Sequence, residues 1–170
     1  MRRVISFFAF ALCLLAAAHA QAAPVKAKAT KPPPPDPRVW TIAKGDGVYV
    51  LRYALARDAD PDFAATCQPS ARLLQIAVEV KSKQLRSGDG VPIALSNGKR
   101  RLELAATAFL GSASGDLVVE AAVALEPRVF DLFRDGDTLT IKLPGETQTL
   151  ALAGARARLA DFERVCLAGR

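Results

Sequence analysis

Nucleophilic and metal chemistry draws mostly on histidine and cysteine, and this chain has one of the first and three of the second. His19 and Cys13 both stand in the first 22 residues, a segment with the pattern of a discarded export signal. Without them the remainder lacks the usual base for a serine or cysteine nucleophile and the commonest zinc ligand. Gly111-Ser112-Ala113-Ser114-Gly115 has the outline of a nucleophile elbow, but its central residue is Ala113, so it reads as a turn. Ser96-Asn97-Gly98-Lys99 matches the Ser-x-x-Lys string, in which one helical turn sets an amine beside a hydroxyl. Here Asn-Gly predicts a hairpin turn, which places the two side chains differently. Asp58, Asp60 and Asp62 have the one-three-five spacing of a calcium loop. The sixth and twelfth positions, where an EF-hand needs glycine and glutamate, hold Phe63 and Pro69. Solvated loop carboxylates are the expectation, with a calcium site built on loop carbonyls as the alternative. No other Asp or Glu stands in a context that marks a carboxylate pair for glycoside hydrolysis. Trp40, Tyr49 and Tyr53 read as core aromatics rather than the lining of a groove. No catalytic, cofactor-binding or metal residue is assigned.

The elements that must position these residues begin after an address. Arg2 and Arg3 precede fifteen apolar or small residues, 4–18, and Ala18-His19-Ala20 supplies a small-x-small cleavage pattern. A spanning helix needs roughly 17–25 residues, so residues 1–22 are expected to be a cleaved signal peptide and the protein to be periplasmic. Cys13 is no lipid site: it lies inside the apolar run, and Leu12 is too bulky for the position before a lipidated cysteine.

Residues 23–38 carry a run of prolines from Pro32 to Pro35 and no apolar periodicity, the pattern of an extended, disordered linker. Arg2, Arg3 and this linker hold five of the six net positive charges, leaving +1 for residues 39–170. A phosphate backbone needs several cations on one surface, so nucleic acid is not an expected partner. Lys81, Lys83 and Arg86 precede a short strand and Lys99, Arg100 and Arg101 follow it, which puts the two clusters at opposite ends of a meander. The basic linker suits an envelope polyanion, and no transmembrane segment is expected once the signal is removed.

Residues 39–170 have the length of one domain. Period-two patterning predicts strands over 39–43, 48–55, 73–80, 91–95, 101–110, 116–123, 138–143 and 147–152. Residues 56–70, which hold Cys67, read as an irregular loop. Pro127 opens a short helix with Val129, Phe130 and Phe133 on one stripe, and a helix over 155–167 turns Leu159, Phe162 and Cys166 inward. The fold class expected is mainly β: one antiparallel, sandwich-like domain with a connecting helix and a C-terminal closing helix. Cys67 and Cys166 are the two cysteines left after export, and an oxidising compartment permits one bridge between them. The alternative is two buried thiols acting as small hydrophobes.

The stretch 127–162, PRVFDLFRDGDTLTIKLPGETQTLALAGARARLADF, resembles the end of the invasion-associated locus B family of bacterial periplasmic proteins, or an uncharacterised sibling family. An amphipathic helix leads into Gly136, Leu139 and Ile141; a second strand carries Leu150 and Leu152; Gly154 and Ala155 then open a helix bearing Leu159 and Phe162. The N-terminal half departs from that family, which would place further cysteines near the strand of Trp40. The resemblance implies an exported β-rich fold in a Gram-negative envelope and carries over no catalytic residue. The expected function is that of a non-enzymatic binding or interaction domain using exposed strand edges. The alternatives are an acidic-residue hydrolase of envelope glycans and a secreted inhibitor of a protease or lysozyme.

Overall fold

The computed structural model describes residues 36–58, 60–111 and 115–168. The expected signal peptide and residues 23–35 of the expected linker lie outside the described residues, as do Ser112, Ala113 and Ser114.

Nine strands form a single sheet: β1 Val39–Gly45, β2 Val48–Ala54, β3 Phe63–Gln68, β4 Leu73–Val80, β5 Gly90–Ser96, β6 Arg101–Leu110, β7 Leu117–Ala124, β8 Thr138–Leu143 and β9 Glu146–Ala151. Their spatial order is β1-β2-β3-β4-β7-β6-β5-β8-β9, with every neighbouring pair antiparallel. The chain thus makes one meander, β1 to β4, and a second, β5 to β7, that runs back to meet it. A 3-10 turn, Pro127–Phe130, and a single-turn helix α1, Asp131–Arg134, then carry the chain to the β8–β9 hairpin, and α2, Ala153–Leu167, closes the molecule. The mainly β class with a connecting and a closing helix holds.

One element differs from the sequence expectation. Cys67 lies in β3 rather than in a loop. Phe63, Ala64, Ala65 and Cys67 are all buried, so β3 presents apolar groups to both faces and lacks the alternation that marks its neighbours. In β4 that alternation is plain, with Leu74, Ile76, Val78 and Val80 all in the core.

The sheet curls until its edges meet. Trp40 in β1 donates its indole N–H to the Ala151 carbonyl in β9 at 2.6 Å, and β9 also reaches the interior strand β4, where Gln148 Nε2 donates to the Glu79 carbonyl at 2.6 Å. Trp40 is 5% exposed and packs against Tyr53, Phe63 and Phe133 at ring separations of 5.1, 5.7 and 6.4 Å. Gly154 at the start of α2 is small for a reason: a Cβ there would lie 3.1 Å from Trp40 Cδ1. The buried stripe of α2 is Ala155, Leu159, Phe162 and Cys166, at helical spacing, and Phe162 meets Phe130 edge-on at 5.9 Å. Cys166 is bonded to Cys67, with Cα atoms 5.7 Å apart, so the closing helix is cross-linked to β3. No helix among the described residues is long and apolar enough to cross a membrane.

Candidate functional site

The ladder between β6 and β7 is incomplete. It runs only from Thr107 paired with Glu120 to Leu110 paired with Leu117, although β6 begins at Arg101 and β7 continues to Ala124. In an antiparallel ladder successive residues turn their N–H and C=O groups to alternate neighbours. Asn97 N–H donates to the Arg100 carbonyl at 3.2 Å, and Gly111 N–H to the Asp116 carbonyl at 2.7 Å, which fixes that alternation at both ends of β6. Arg101, Glu103 and Ala105 therefore turn their backbone groups toward β7, beyond the last paired residue. The result is a seam inside the sheet with an open strand edge.

Two hollows lie along it. One, of about 400 Å³, has Ala105, Thr107 and Phe109 on one wall and Gln75, Glu120 and Ala122 on the other. The second, of about 310 Å³, lies where β6 begins and β7 ends; Leu102, Val123, Val129 and Leu132 make its apolar lining, and Arg100, Arg101 and Arg128 its cationic part. Alanine dominates the seam itself: Ala105, Ala106, Ala121, Ala122 and Ala124. It is a poor strand former with little side chain to pack across a ladder, so the two strands gain little from closing here.

Of the residues singled out from the sequence, Trp40 and Tyr53 are brought together, packed at 5.1 Å in the core, while the polar ones are not. Asp62 accepts from Arg38 Nη1 at 3.1 Å, Asp58 lends its backbone carbonyl to Arg52 Nη2 at 2.6 Å, and no cluster of metal-binding side chains occurs among the described residues. Lys99 Nζ lies 3.9 Å from Asp135, while Ser96 Oγ accepts from the Gly98 N–H, so the Ser-x-x-Lys string forms a tight turn rather than a catalytic pair. The two basic clusters stay apart at the two ends of β5. Arg100 and Arg101 gain a role that their charge alone did not indicate, since they flank the second hollow. Ala105, Ala122 and Arg128 were not singled out at all; the alanine-rich runs at 105–108 and 121–124 were the signal available for them.

A second feature joins the chain entering the domain to its core. Tyr53 is 3% exposed and donates its hydroxyl to Asp36 Oδ2 at 2.7 Å, while Arg38 stacks over the Tyr53 ring at 5.8 Å and pairs with Asp36 and Asp62. Asp36 to Arg38, the last residues of the expected linker, are thereby packed on the domain. The Arg38 backbone N–H and the Tyr53 hydroxyl hold the Asp36 carboxyl below its usual range. Burial, helped by the hydrogen bond to Asp36, pushes Tyr53 up to about 12. A tyrosine whose folded pKa is raised contributes stability that is complete below 10.0 and disappears as the pH climbs through about 12. About 3 kcal/mol of the stability present below pH 10 is expected to be lost by this route as the solution is made strongly alkaline. In a Tyr49→Phe chain, which leaves Tyr53 as the sole tyrosine, the tyrosinate absorbance should rise with a midpoint near 12. A midpoint at the ordinary tyrosine value would show that the hydroxyl is neither buried nor held by Asp36.

No protein-family model matches this sequence, and no curated protein matches it either. Among solved structures, it is similar to the crystal structure of invasion associated protein B from Bartonella henselae, at a TM-score of 0.43 and 14% identity, covering 76% of this chain and 97% of that one. A likeness this distant transfers no site residue.

Proposed function

We propose that the protein is a non-enzymatic periplasmic binding domain that takes an extended segment of an envelope protein into the seam between β6 and β7. The observation that carries this reading is the ladder that stops at Thr107 and Glu120 while both strands run on. An open edge offers a row of main-chain donors and acceptors at strand spacing, which is what an incoming extended segment pairs with. At the outer strands, the Ala151 carbonyl of β9 is taken by the Trp40 indole of β1. Residues 1–22 support the export route, and the buried Cys67–Cys166 bridge suits an oxidising compartment.

The test is site-specific photo-cross-linking in the intact envelope. A photoreactive side chain at Ala105 or at Ala122 is expected to capture the same partner, with a yield about tenfold above that from Thr147, which is exposed on β9. Equal capture from all three positions, or none from Ala105 and Ala122, would overturn the reading.

A further inference from the structure

We propose that the hollow where β6 begins binds the C-terminal carboxylate and final apolar side chain of that extended segment; this rests on the seam reading and names what the segment ends in. Leu102, Val123, Val129 and Leu132 give the hollow an apolar floor, and its volume of about 310 Å³ suits one large side chain with its terminus. Three guanidinium groups, Arg100, Arg101 and Arg128, line it against two carboxylates, Glu126 and Asp131, so its balance is positive.

The arginines retain donors for a ligand. Arg100 Nη2 approaches Asp131 only to 3.7 Å, with its side chain 62% exposed. Arg101 and Arg128 hold Glu103 and Glu126 two residues away in exposed pairs, at 2.5 and 2.6 Å. Such surface pairs contribute little, and each guanidinium carries five N–H donors in a fork that fits a carboxylate. The open edge points a segment toward these groups, because Ala105, Glu103 and Arg101 turn their backbone to the seam in that order. The 3-10 turn that follows β7 borders the hollow through Arg128 and Val129. A segment that meets cations over an apolar floor where the open edge ends is best complemented by its own terminal carboxylate after an apolar residue.

The experiment uses the purified full chain and a library of random hexapeptides displayed with free C-termini. Selected peptides are expected to end in an apolar residue and to bind about tenfold or more weakly once amidated. Arg100→Gln should cause a similar loss for the free acid, little further loss for the amide, and no change in melting temperature, since Arg100 is a surface side chain. Binders indifferent to amidation would overturn the inference, as would dodecanoate alone binding with the same dependence on Arg100. If no peptide is selected while Ala105 and Ala122 still cross-link a partner, this inference falls and the seam reading stands. If the cross-links fail as well, both fall.

Discussion

Replacing Cys166 with serine is expected to lower the stability of the domain by about 4–5 kcal/mol or more. The bridge joins residues 99 apart in sequence, so it closes most of the domain into one loop and removes a large part of the unfolded chain's freedom. The serine variant adds a second cost. Cys67 and Cys166 are 0% and 1% exposed, so the new hydroxyl sits in an apolar site. Domains of this kind are stable by roughly 5–15 kcal/mol, so the loss takes a large share of the total and leaves the reduced chain marginal. Urea unfolding of the wild type with and without reductant, beside Cys166→Ser and a Cys67→Ala/Cys166→Ala pair, measures it. The double alanine form should sit between the oxidised protein and the serine variant, because it loses the cross-link without burying a hydroxyl. A reduced protein within about 1 kcal/mol of the oxidised one would mean that Leu159 and Phe162 already hold α2 in place and that the bridge adds little. The loss is expected to fall mainly on α2, whose release would uncover Phe130 and the Trp40 cluster.

The elements legible from the sequence are those in which one physical requirement acts alone. β4 has a core face and an outer face, so Leu74, Ile76, Val78 and Val80 alternate with more polar neighbours, and its bounds agree with the period-two pattern. α2 buries one stripe, so Leu159, Phe162 and Cys166 point inward as their spacing requires. β3 was illegible because Phe63, Ala64, Ala65 and Cys67 are buried on both sides and Asp60, Pro61, Asp62 and Pro69 flank them. Its environment is set by β2 and β4 rather than by its own pattern. The seam was hidden for a related reason. Residues 101–110 read as one good strand, and they are one; which partner each half finds depends on where β7 leaves it, a long-range fact that no local period carries. The hollow at its end draws on a hairpin, a strand end and a 3-10 turn, so none of its parts stands out in the chain.

Asn97→Ala is expected to cost about 3–4 kcal/mol, far more than a turn residue usually does. Asn97 is 7% exposed, the one amide or charged side chain buried among the described residues, and both ends of its amide are hydrogen-bonded to protein. Its Nδ2 donates to the Asp131 and Leu132 carbonyls at 2.8 and 3.3 Å, and its Oδ1 accepts from the Lys99 and Arg100 N–H groups at 3.0 and 2.7 Å. Alanine would leave those backbone groups to find water or go unpaired. Behind the turn, Gly136 has φ +74° and would place a Cβ 2.4 Å from the Asn97 carbonyl oxygen, so the segment after α1 and the hairpin are in close backbone contact. Asn97→Asp separates the two halves of the role. A carboxylate still accepts from Lys99 and Arg100 but faces two carbonyl oxygens without a proton to offer. Its folded pKa should therefore be raised, so its penalty relative to the wild type should be smaller in acid and grow as the pH rises through that value. Urea midpoints of the three proteins at acidic and neutral pH give the result; an aspartate variant with the same deficit at both would show that the Nδ2 bonds to α1 carry no weight. Because Asn97 also ties the turn bearing Arg100 to the helix bearing Leu132, the alanine variant should loosen the cationic side of the hollow from its apolar floor. Free-acid peptides should then lose affinity in a protein that, below its lowered melting temperature, is still folded.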